Sequence, residues 1–230
     1  MGSYLDEAIK RLKEFEGSVP WMYLDTVGRV TVGVGAMLPD ARSASTLPFQ
    51  AGDRVASLEE IAAEFGRVSG LTKGKAAGFY RKTGGLVLTQ ETIDGRLREV
   101  LEGFEGYLRE HVRAYEGLPD AAKLALLDMV YNLGPGKLFR EYPKLIAAVE
   151  QGDWGGAARA SLRRGPSPAR NSWTKEQFLA AAKRVAIQAE AAIERGAWKW
   201  VPVLVGAGAG LLAMWIAAGS LKPRAGAGAD

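Results

Sequence analysis

The sequence predicts a mostly helical α+β protein, in which a small antiparallel hairpin sheet follows the first helix and precedes a helical body. Three observations predict this class. Apolar residues recur at helical spacing near the N-terminus, residues 18–38 alternate and carry repeated glycines, and the pattern is helical again from about residue 57 onward. With 230 residues, of which 47% are hydrophobic and 24% charged, the chain can build a globular core.

The first helix is predicted from a capping signal and one apolar face. Ser3 precedes two acidic residues in the first turn, as helix N-termini favour. Gly17 is predicted to end the helix directly after Glu16, because glycine suits the C-terminal capping position. The residues that share the apolar face are Leu5, Ala8, Ile9, Leu12 and Phe15.

Residues 18–38 predict short strands joined by tight turns. The segment 25–28, "DTVG", is the expected hairpin turn. The alternating residues are Trp21 and Tyr23 before the turn and Val30, Val32 and Val34 after it, punctuated by Gly28, Gly33 and Gly35.

The helical body is predicted from caps and periodicity. Ser57 and Glu60 form a capping-box pattern, and Thr174 and Gln177 are interpreted as a second one. The segment 119–134 is apolar nearly all round, which is typical of a central core helix. Segments 39–56 and 66–88 are expected to be rich in loops. The other predicted helices cover 89–115, 142–150, 153–164 and 174–195.

Composition excludes several kinds of chemistry. The chain has no cysteine and a single histidine, His111, which lies on a charged helix pattern. Disulfides, cysteine nucleophiles, serine–histidine triads and multi-histidine metal sites are therefore not expected, and neither is a cofactor. The net charge is +4, and the basic excess lies in residues 151–230. Such a half attracts polyanions, but no nucleic-acid recognition motif is found, so nucleic acid is not an expected partner.

Two carboxylates stand out in the stretch 15–35. Glu16 is expected at a helix end and Asp25 on a hairpin turn, where the two can face each other across a groove. Glycoside hydrolysis needs such a pair, one acid for the leaving oxygen and one carboxylate for water or the sugar. The negative end of the helix dipole favours the protonated form of Glu16, whereas a polar turn keeps Asp25 ionised. Thr31 could bind the attacking water, although each acid is also common as a purely structural residue.

The same stretch resembles a known family. Glu16-Gly17, Tyr23, Asp25, Gly28, Thr31, Gly33 and Gly35 are spaced as in the catalytic signature of phage-type lysozymes, the endolysin muramidases. The segments "ALLDMVYNLG", "FREYPKLIAAVEQGDW" and "SPARNSWTKEQF" extend the resemblance, which covers about 1–38 and 119–180 and is poor over 39–118. Ala36 stands where the family often has histidine.

The resemblance implies specific roles. Glu16 would be the general acid, Asp25 and Thr31 would hold the nucleophilic water, and Arg170 would contact Glu16. The family inverts the anomeric configuration, and it cleaves the β-1,4 bond between N-acetylmuramic acid and N-acetylglucosamine in peptidoglycan glycan strands. The residues expected to line the sugar groove are Asn132, Phe139 and Leu38.

Some of these residues have a second interpretation. Arg170 lies near Arg163, Arg164 and Lys175, which together could form a basic face for anionic wall polymers. Asn132 could simply cap its helix, and Phe139 could belong to the core.

The C-terminal segment suggests a membrane contact. Residues 200–221 are uncharged, and as a helix they would reach roughly 33 Å, enough for a bilayer core. Trp198 and Trp200 suit an interfacial belt, and Gly206 and Gly210 form a GxxxG pair. We therefore expect a lysozyme-like catalytic domain at 1–196 and a hydrophobic, membrane-inserting tail at 197–230; the alternative is a packing helix that docks on a partner.

These patterns predict a peptidoglycan hydrolase that acts at the bacterial cell wall or periplasm. No N-terminal signal peptide is recognised, so delivery by a membrane pore, a virion or a secretion machine is expected, with a possible phage or secretion-machine partner. One alternative is a lysozyme-like structural or binding module of a phage particle or injection device, with the tail acting on membranes. Another is a membrane-permeabilising protein whose tail is the effector.

Overall fold

The structure is a computed structural model that describes residues 4–113 and 115–194. The predicted tail and the domain boundary at 196/197 lie outside the described residues. Within them, ten α-helices surround one small sheet and one separate hairpin. The helices are α1 Tyr4–Glu16, α2 Ala41–Ala44, α3 Leu58–Ser69, α4 Ala77–Tyr80, α5 Gln90–His111, α6 Asp120–Leu133, α7 Pro135–Glu141, α8 Pro143–Glu150, α9 Trp154–Ala160 and α10 Pro168–Glu194.

The sheet follows the first helix, as predicted. It is antiparallel, in the order β1 (Val19–Leu24), β2 (Val30–Gly33) and β3 (Ala36–Met37). Tyr23 is paired with Thr31 across β1 and β2, so the two side chains stand side by side on one face of the sheet. The hairpin β4 (Gln50–Ala51) and β5 (Arg54–Val55) is separate from this sheet.

The core is built around α6. This helix packs against α1, α5, α7 and α10, and the residues from Ala122 to Val130 are all buried. The nearly continuous apolar pattern of the segment therefore predicted its central position correctly. Two of its buried residues, Lys123 and Asp128, are charged.

One predicted helix start agrees with the structure, and two predicted helix ends lie too far along the chain. Ser57 accepts a hydrogen bond from the main chain of Glu60, and the Glu60 side chain accepts one from the main chain of Ser57, so the capping box is confirmed. The helix predicted at 89–115 ends earlier, at His111, because Val112 takes an extended conformation. The helix predicted at 153–164 ends at Ala160.

The second predicted capping box is wrong. α10 begins at Pro168, so Thr174 lies inside the helix, where it is fully buried. Its hydroxyl donates to Asp128 Oδ2 at 2.7 Å and lies 2.9 Å from the main-chain oxygen of Arg170. The local pattern matched a cap, but a contact 46 residues away in the chain occupies the side chain.

Candidate active site

Glu16 is the last residue of α1. Gly17 ends the helix with φ +78°, and its N–H donates to the main-chain oxygen of Lys13 at 3.0 Å. This is the glycine cap that the sequence predicts. The side chain of Glu16 is 34% exposed, so it lies at the surface of the site and can reach a bound ligand.

Asp25 begins the turn between β1 and β2. Its Oδ1 accepts hydrogen bonds from the main-chain N–H groups of Val27 at 2.9 Å and Arg29 at 2.8 Å. Gly28, with φ +92°, donates to the main-chain oxygen of Asp25 at 3.0 Å and closes the turn. No donor bonds Oδ2 within residues 4–113 and 115–194, so that oxygen is available to a ligand or to water.

Thr31 lies on β2 directly opposite Tyr23. Its hydroxyl donates to the main-chain oxygen of Arg29 at 3.1 Å, so it can act only as an acceptor towards a further group. The residue is 3% exposed, which leaves a narrow approach to this oxygen.

Tyr23 links the two carboxylates electrostatically. Burial raises the pKa of its hydroxyl, and the negative charges of Asp25 and then Glu16 raise this pKa further. Both carboxylates therefore lie within electrostatic range of the Tyr23 hydroxyl. The structure therefore brings Glu16, Asp25 and Thr31 around one tyrosine.

Tyr131 of α6 closes the site from the helical side. Its hydroxyl donates a hydrogen bond to the main-chain oxygen of Val34, just after β2. Burial raises the pKa of Tyr131 to about 12, and the charge of Glu16 contributes in the same direction. The charge of Glu16 thus acts on a tyrosine from the sheet and on a tyrosine from the central helix.

Arg170 holds Glu16 from the start of α10. Its Nη1 donates to Glu16 Oε1 at 2.5 Å, and its Nε donates to Asp128 Oδ1 at 2.7 Å. The guanidinium also lies 5.3 Å from the centre of the Phe15 ring. Burial works against the charge of Arg170, but Asp128 and Glu16 outweigh it and raise the pKa above the ordinary value. The contact expected between Arg170 and Glu16 is therefore present.

Arg163 completes a buried ionic cluster. Its Nη2 donates to Asp128 Oδ2 at 2.6 Å and to Thr174 Oγ1 at 2.7 Å. Arg163, Asp128 and Arg170 are each at most 5% exposed, and burial lowers the pKa of Arg163. The interpretation of Arg163 and Arg170 as part of a basic surface is therefore wrong, although Arg164 and Lys175 are exposed.

A partly open cavity of about 450 Å³ lies against Glu16. Asn132 and Tyr131 also line it, and its other walls are mostly apolar residues of β2 and α5. Asp25 and Thr31 do not line this cavity. A larger, more open depression of about 560 Å³ lies between α1 and α5 and does not include Glu16.

The other predicted groove residues have different surroundings. Asn132 is exposed beside Glu16, where a sugar can reach it. Phe139 is half-buried and meets the ring of Tyr107 edge-on, at 5.7 Å between ring centres. Leu38 is 5% exposed and belongs to the core, so little of its surface is open to a sugar.

The sequence analysis missed Asp128, Arg163 and Thr174 as parts of the site. One signal was present, because Asp128 stands within an apolar run of α6 and a buried aspartate must find a partner. Its partners, however, lie 35 to 46 residues further along the chain and cannot be identified by local spacing.

Neither a metal site nor a membrane span is found in the part of the chain that the structure describes. No group of three or more histidine, cysteine, aspartate or glutamate residues within residues 4–113 and 115–194 could hold a metal ion. No helix in those ranges is both long and apolar enough to cross a bilayer. The predicted segment 200–221 lies outside them.

A small sheet set between the first helix and a helical body, with a glutamate ending that helix, is the lysozyme-like α+β fold. The model of the phage lysozyme family matches residues 13–165, and the chain belongs to that family. It is therefore a peptidoglycan hydrolase of the glycoside hydrolase type. The match includes Glu16, Asp25 and Thr31 and ends before Arg170. A comparison with curated proteins finds no match.

Proposed function

We propose that the protein is an N-acetylmuramidase that cleaves the β-1,4 bond between N-acetylmuramic acid and N-acetylglucosamine. Glu16 is the general acid, and Asp25 and Thr31 hold the attacking water. The observation that carries this proposal is the grouping around Tyr23. Both carboxylates raise the pKa of its hydroxyl, and Thr31 is its partner across the strands.

Two opposing influences act on Glu16. The end of α1 disfavours a negative charge there, whereas the hydrogen bond from Arg170 favours it. As general acid, Glu16 gives its proton to the leaving sugar oxygen and becomes a carboxylate. Arg170 is already in place to stabilise that product, so little reorganisation is needed during the reaction.

Asp25 and Thr31 are suited to hold water. The main chain fixes Oδ1 of Asp25, which leaves Oδ2 to accept a hydrogen from a water molecule. Thr31 can accept the other hydrogen, because its own hydrogen is directed to Arg29. A water held in this way attacks the anomeric carbon from the side opposite to Glu16 and gives its proton to Oδ2 of Asp25, while the bond to the leaving oxygen breaks. The configuration at the anomeric carbon is thereby inverted.

The sugar groove is proposed to pass Asn132, which is exposed next to Glu16. The half-buried edge of Phe139 provides a second, apolar contact. We propose the cell wall or periplasm as the place of action. The proposed routes to this place are attachment to a membrane through residues 200–221, delivery in a virion and export by a secretion machine. Each route is inferred from the sequence.

Mass spectrometry of muropeptides released from purified sacculi tests the function. We expect fragments that end in reducing N-acetylmuramic acid. Fragments that end in N-acetylglucosamine indicate a glucosaminidase, and anhydro ends indicate a transglycosylase. Either result contradicts the proposal.

Two matched variants test the acid. Glu16→Gln should abolish release with an unchanged circular dichroism spectrum. Glu14→Gln, two residues earlier on the same helix, should retain activity because Glu14 pairs with Arg11 on the exposed surface. Full activity of Glu16→Gln excludes Glu16 as the acid. Glycan binding without release by the wild type favours the alternative, a binding module.

A further inference from the structure

The buried cluster behind Glu16 divides one carboxylate between two guanidinium groups. Oδ1 of Asp128 accepts from Arg170 Nε at 2.7 Å, and Oδ2 accepts from Arg163 Nη2 at 2.6 Å. The Thr174 hydroxyl lies against Oδ2 at 2.7 Å and is itself fully buried. Arg163 also donates to the main-chain oxygen of Asp128 at 3.3 Å. Asp128 is therefore held at both of its oxygens and at its own main chain.

The charges of this cluster do not balance without Glu16. Arg163 and Arg170 carry two positive charges, and Asp128 carries one negative charge. One nitrogen of each guanidinium, Arg163 Nε and Arg170 Nη2, is buried without a hydrogen-bond partner among the described residues. Buried charge is costly unless it is paired, so the cluster favours one further anion. Glu16, 2.5 Å from Arg170, supplies it.

Asp128 and Glu16 share the same guanidinium. Arg170 donates through Nε to the first and through Nη1 to the second. A change of charge around Asp128 therefore changes how strongly the cluster stabilises the negative form of Glu16. In the described part of the chain, other charged or titratable groups around Glu16 are Tyr23 of β1, Tyr131 of α6 and Arg96 of α5, and Asp25 acts on the same Tyr23.

We infer that Asp128 is a positioning residue for catalysis, and that Arg163 and Thr174 act with it. Through Arg170 this buried cluster fixes the direction of the Glu16 carboxyl group and sets how strongly its negative form is stabilised. The inference rests on the proposed role of Glu16 as general acid. It adds three residues to the catalytic machinery, none of which touches the substrate.

Exchanging Arg163 tests the charge balance. Arg163→Met removes one buried positive charge, while Asp128 keeps its bonds to Arg170 and Thr174. Glu16 is then less strongly held as an anion and keeps its proton to a higher pH. We expect the alkaline limb of the pH–activity profile to move up by roughly one pH unit. Arg163→Lys keeps the charge and should leave this limb within a few tenths of a unit.

Exchanging Asp128 should act in the opposite direction. Asp128→Asn removes the competing negative charge, so the cluster holds the Glu16 anion more strongly. The alkaline limb should move to lower pH. This variant leaves two buried cations facing an amide, so we expect it to be less stable than the wild type. The comparison of Arg163→Met with Arg163→Lys does not require that Asp128→Asn folds. Thr174→Val changes no charge, so its effect should appear as a lower maximum rate and not as a movement of the limb.

A readout without activity separates this inference from the proposed function. Carbon-13 NMR of the glutamate side-chain carboxyl groups follows the titration of Glu16 directly. We expect the Glu16 curve to move to higher pH in Arg163→Met but not in Arg163→Lys. Equal curves in both variants and the wild type overturn the inference, whether or not sacculi are cleaved. If the Glu16 curve moves as expected but the protein releases no muropeptide, the inferred role of the cluster is supported and the proposed muramidase activity is contradicted.

Discussion

The hydroxyl of Tyr131 donates a hydrogen bond to the main-chain oxygen of Val34, which joins the central helix to the end of β2. This bond crosses from the helical body to the sheet beside Glu16. It therefore fixes the position of the sheet, and with it Tyr23 and Thr31, relative to the helix that carries Asp128.

Tyr131 predicts a loss of stability at alkaline pH. Burial, aided by the charge of Glu16, raises its pKa from 10.0 to about 12, so the folded chain keeps the proton after the unfolded chain has lost it. The free energy of unfolding therefore falls as pH rises from about 10 to about 12, by up to about 2.7 kcal/mol from this group. Urea denaturation of the wild type and of Tyr131→Phe across this range measures the effect.

As pH rises, the free energy of unfolding of the wild type should fall towards that of Tyr131→Phe, because the variant has no hydroxyl proton to lose at this position. Tyr107→Phe, on the neighbouring α5, is the control and should run parallel to the wild type. If Tyr131→Phe also runs parallel to the wild type, Tyr131 does not carry this dependence.

Asp25→Asn tests the carboxylate that is proposed to hold the attacking water. The amide oxygen can still accept the two main-chain hydrogen bonds, so the turn should form, but the negative charge is lost. We expect activity on purified sacculi to fall by about 100-fold or more. Asp40→Asn is a matched control, because Asp40 also accepts a main-chain hydrogen bond, from Ser43 at 2.7 Å, but caps α2. An equal loss in both variants points to a general electrostatic effect.

Thr174→Val should destabilise the fold. The hydroxyl bonds Asp128 and Arg163 in the fully buried cluster, and valine leaves both groups short of one partner. We expect the free energy of unfolding to fall by about 1–3 kcal/mol, as measured by urea denaturation. Ser172→Ala, two residues earlier, removes only an exposed hydroxyl and should change little. If the free energy of unfolding of Thr174→Val equals that of the wild type, the hydroxyl has no structural role.

Ser57→Ala should weaken α3. It removes one half of the capping box while the Glu60 half is retained. The expected loss is about 1 kcal/mol in the free energy of unfolding. Ser69→Ala, at the other end of α3, is the comparison, because its exposed hydroxyl lies against the main-chain oxygens of Phe65 and Gly66 within the helix. Similar losses in the two variants contradict a specific cap.

The predicted tail can be tested by removal. We expect the full chain to sediment with liposomes and the chain truncated to 1–196 to stay in solution, because residues 200–221 are uncharged and apolar. Both forms should cleave purified sacculi. Dye leakage caused by 197–230 alone supports a permeabilising role for the tail, whereas equal liposome binding by both forms contradicts the predicted anchor.

Sequence reasoning succeeded where the signal was local. The end of α1 at Glu16 follows from Gly17, and the turn at Asp25 follows from a glycine three residues later. The capping box of α3 lies within four residues. Each depends on main-chain geometry that nearby side chains determine, so a linear pattern is sufficient to find it.

It failed where side chains pair over long distances in the chain. Thr174 resembled a cap, and Arg163 resembled a surface cation, yet both are buried against Asp128. Short elements were missed for another reason. α2, α4 and the β4–β5 hairpin have only two to four residues per element, too few for a helical or alternating period to show.

The length of α10 sets the distance between Glu16 and the C-terminal end of that helix. Arg170 lies in its first turn, in contact with Glu16, and Glu194 ends it 24 residues later. At 1.5 Å per residue these points are roughly 36 Å apart. If residues beyond Glu194 are attached to a surface, α10 holds Glu16 at a fixed distance from that surface. Shortening α10 by whole turns would then change which layer of the wall the enzyme can reach.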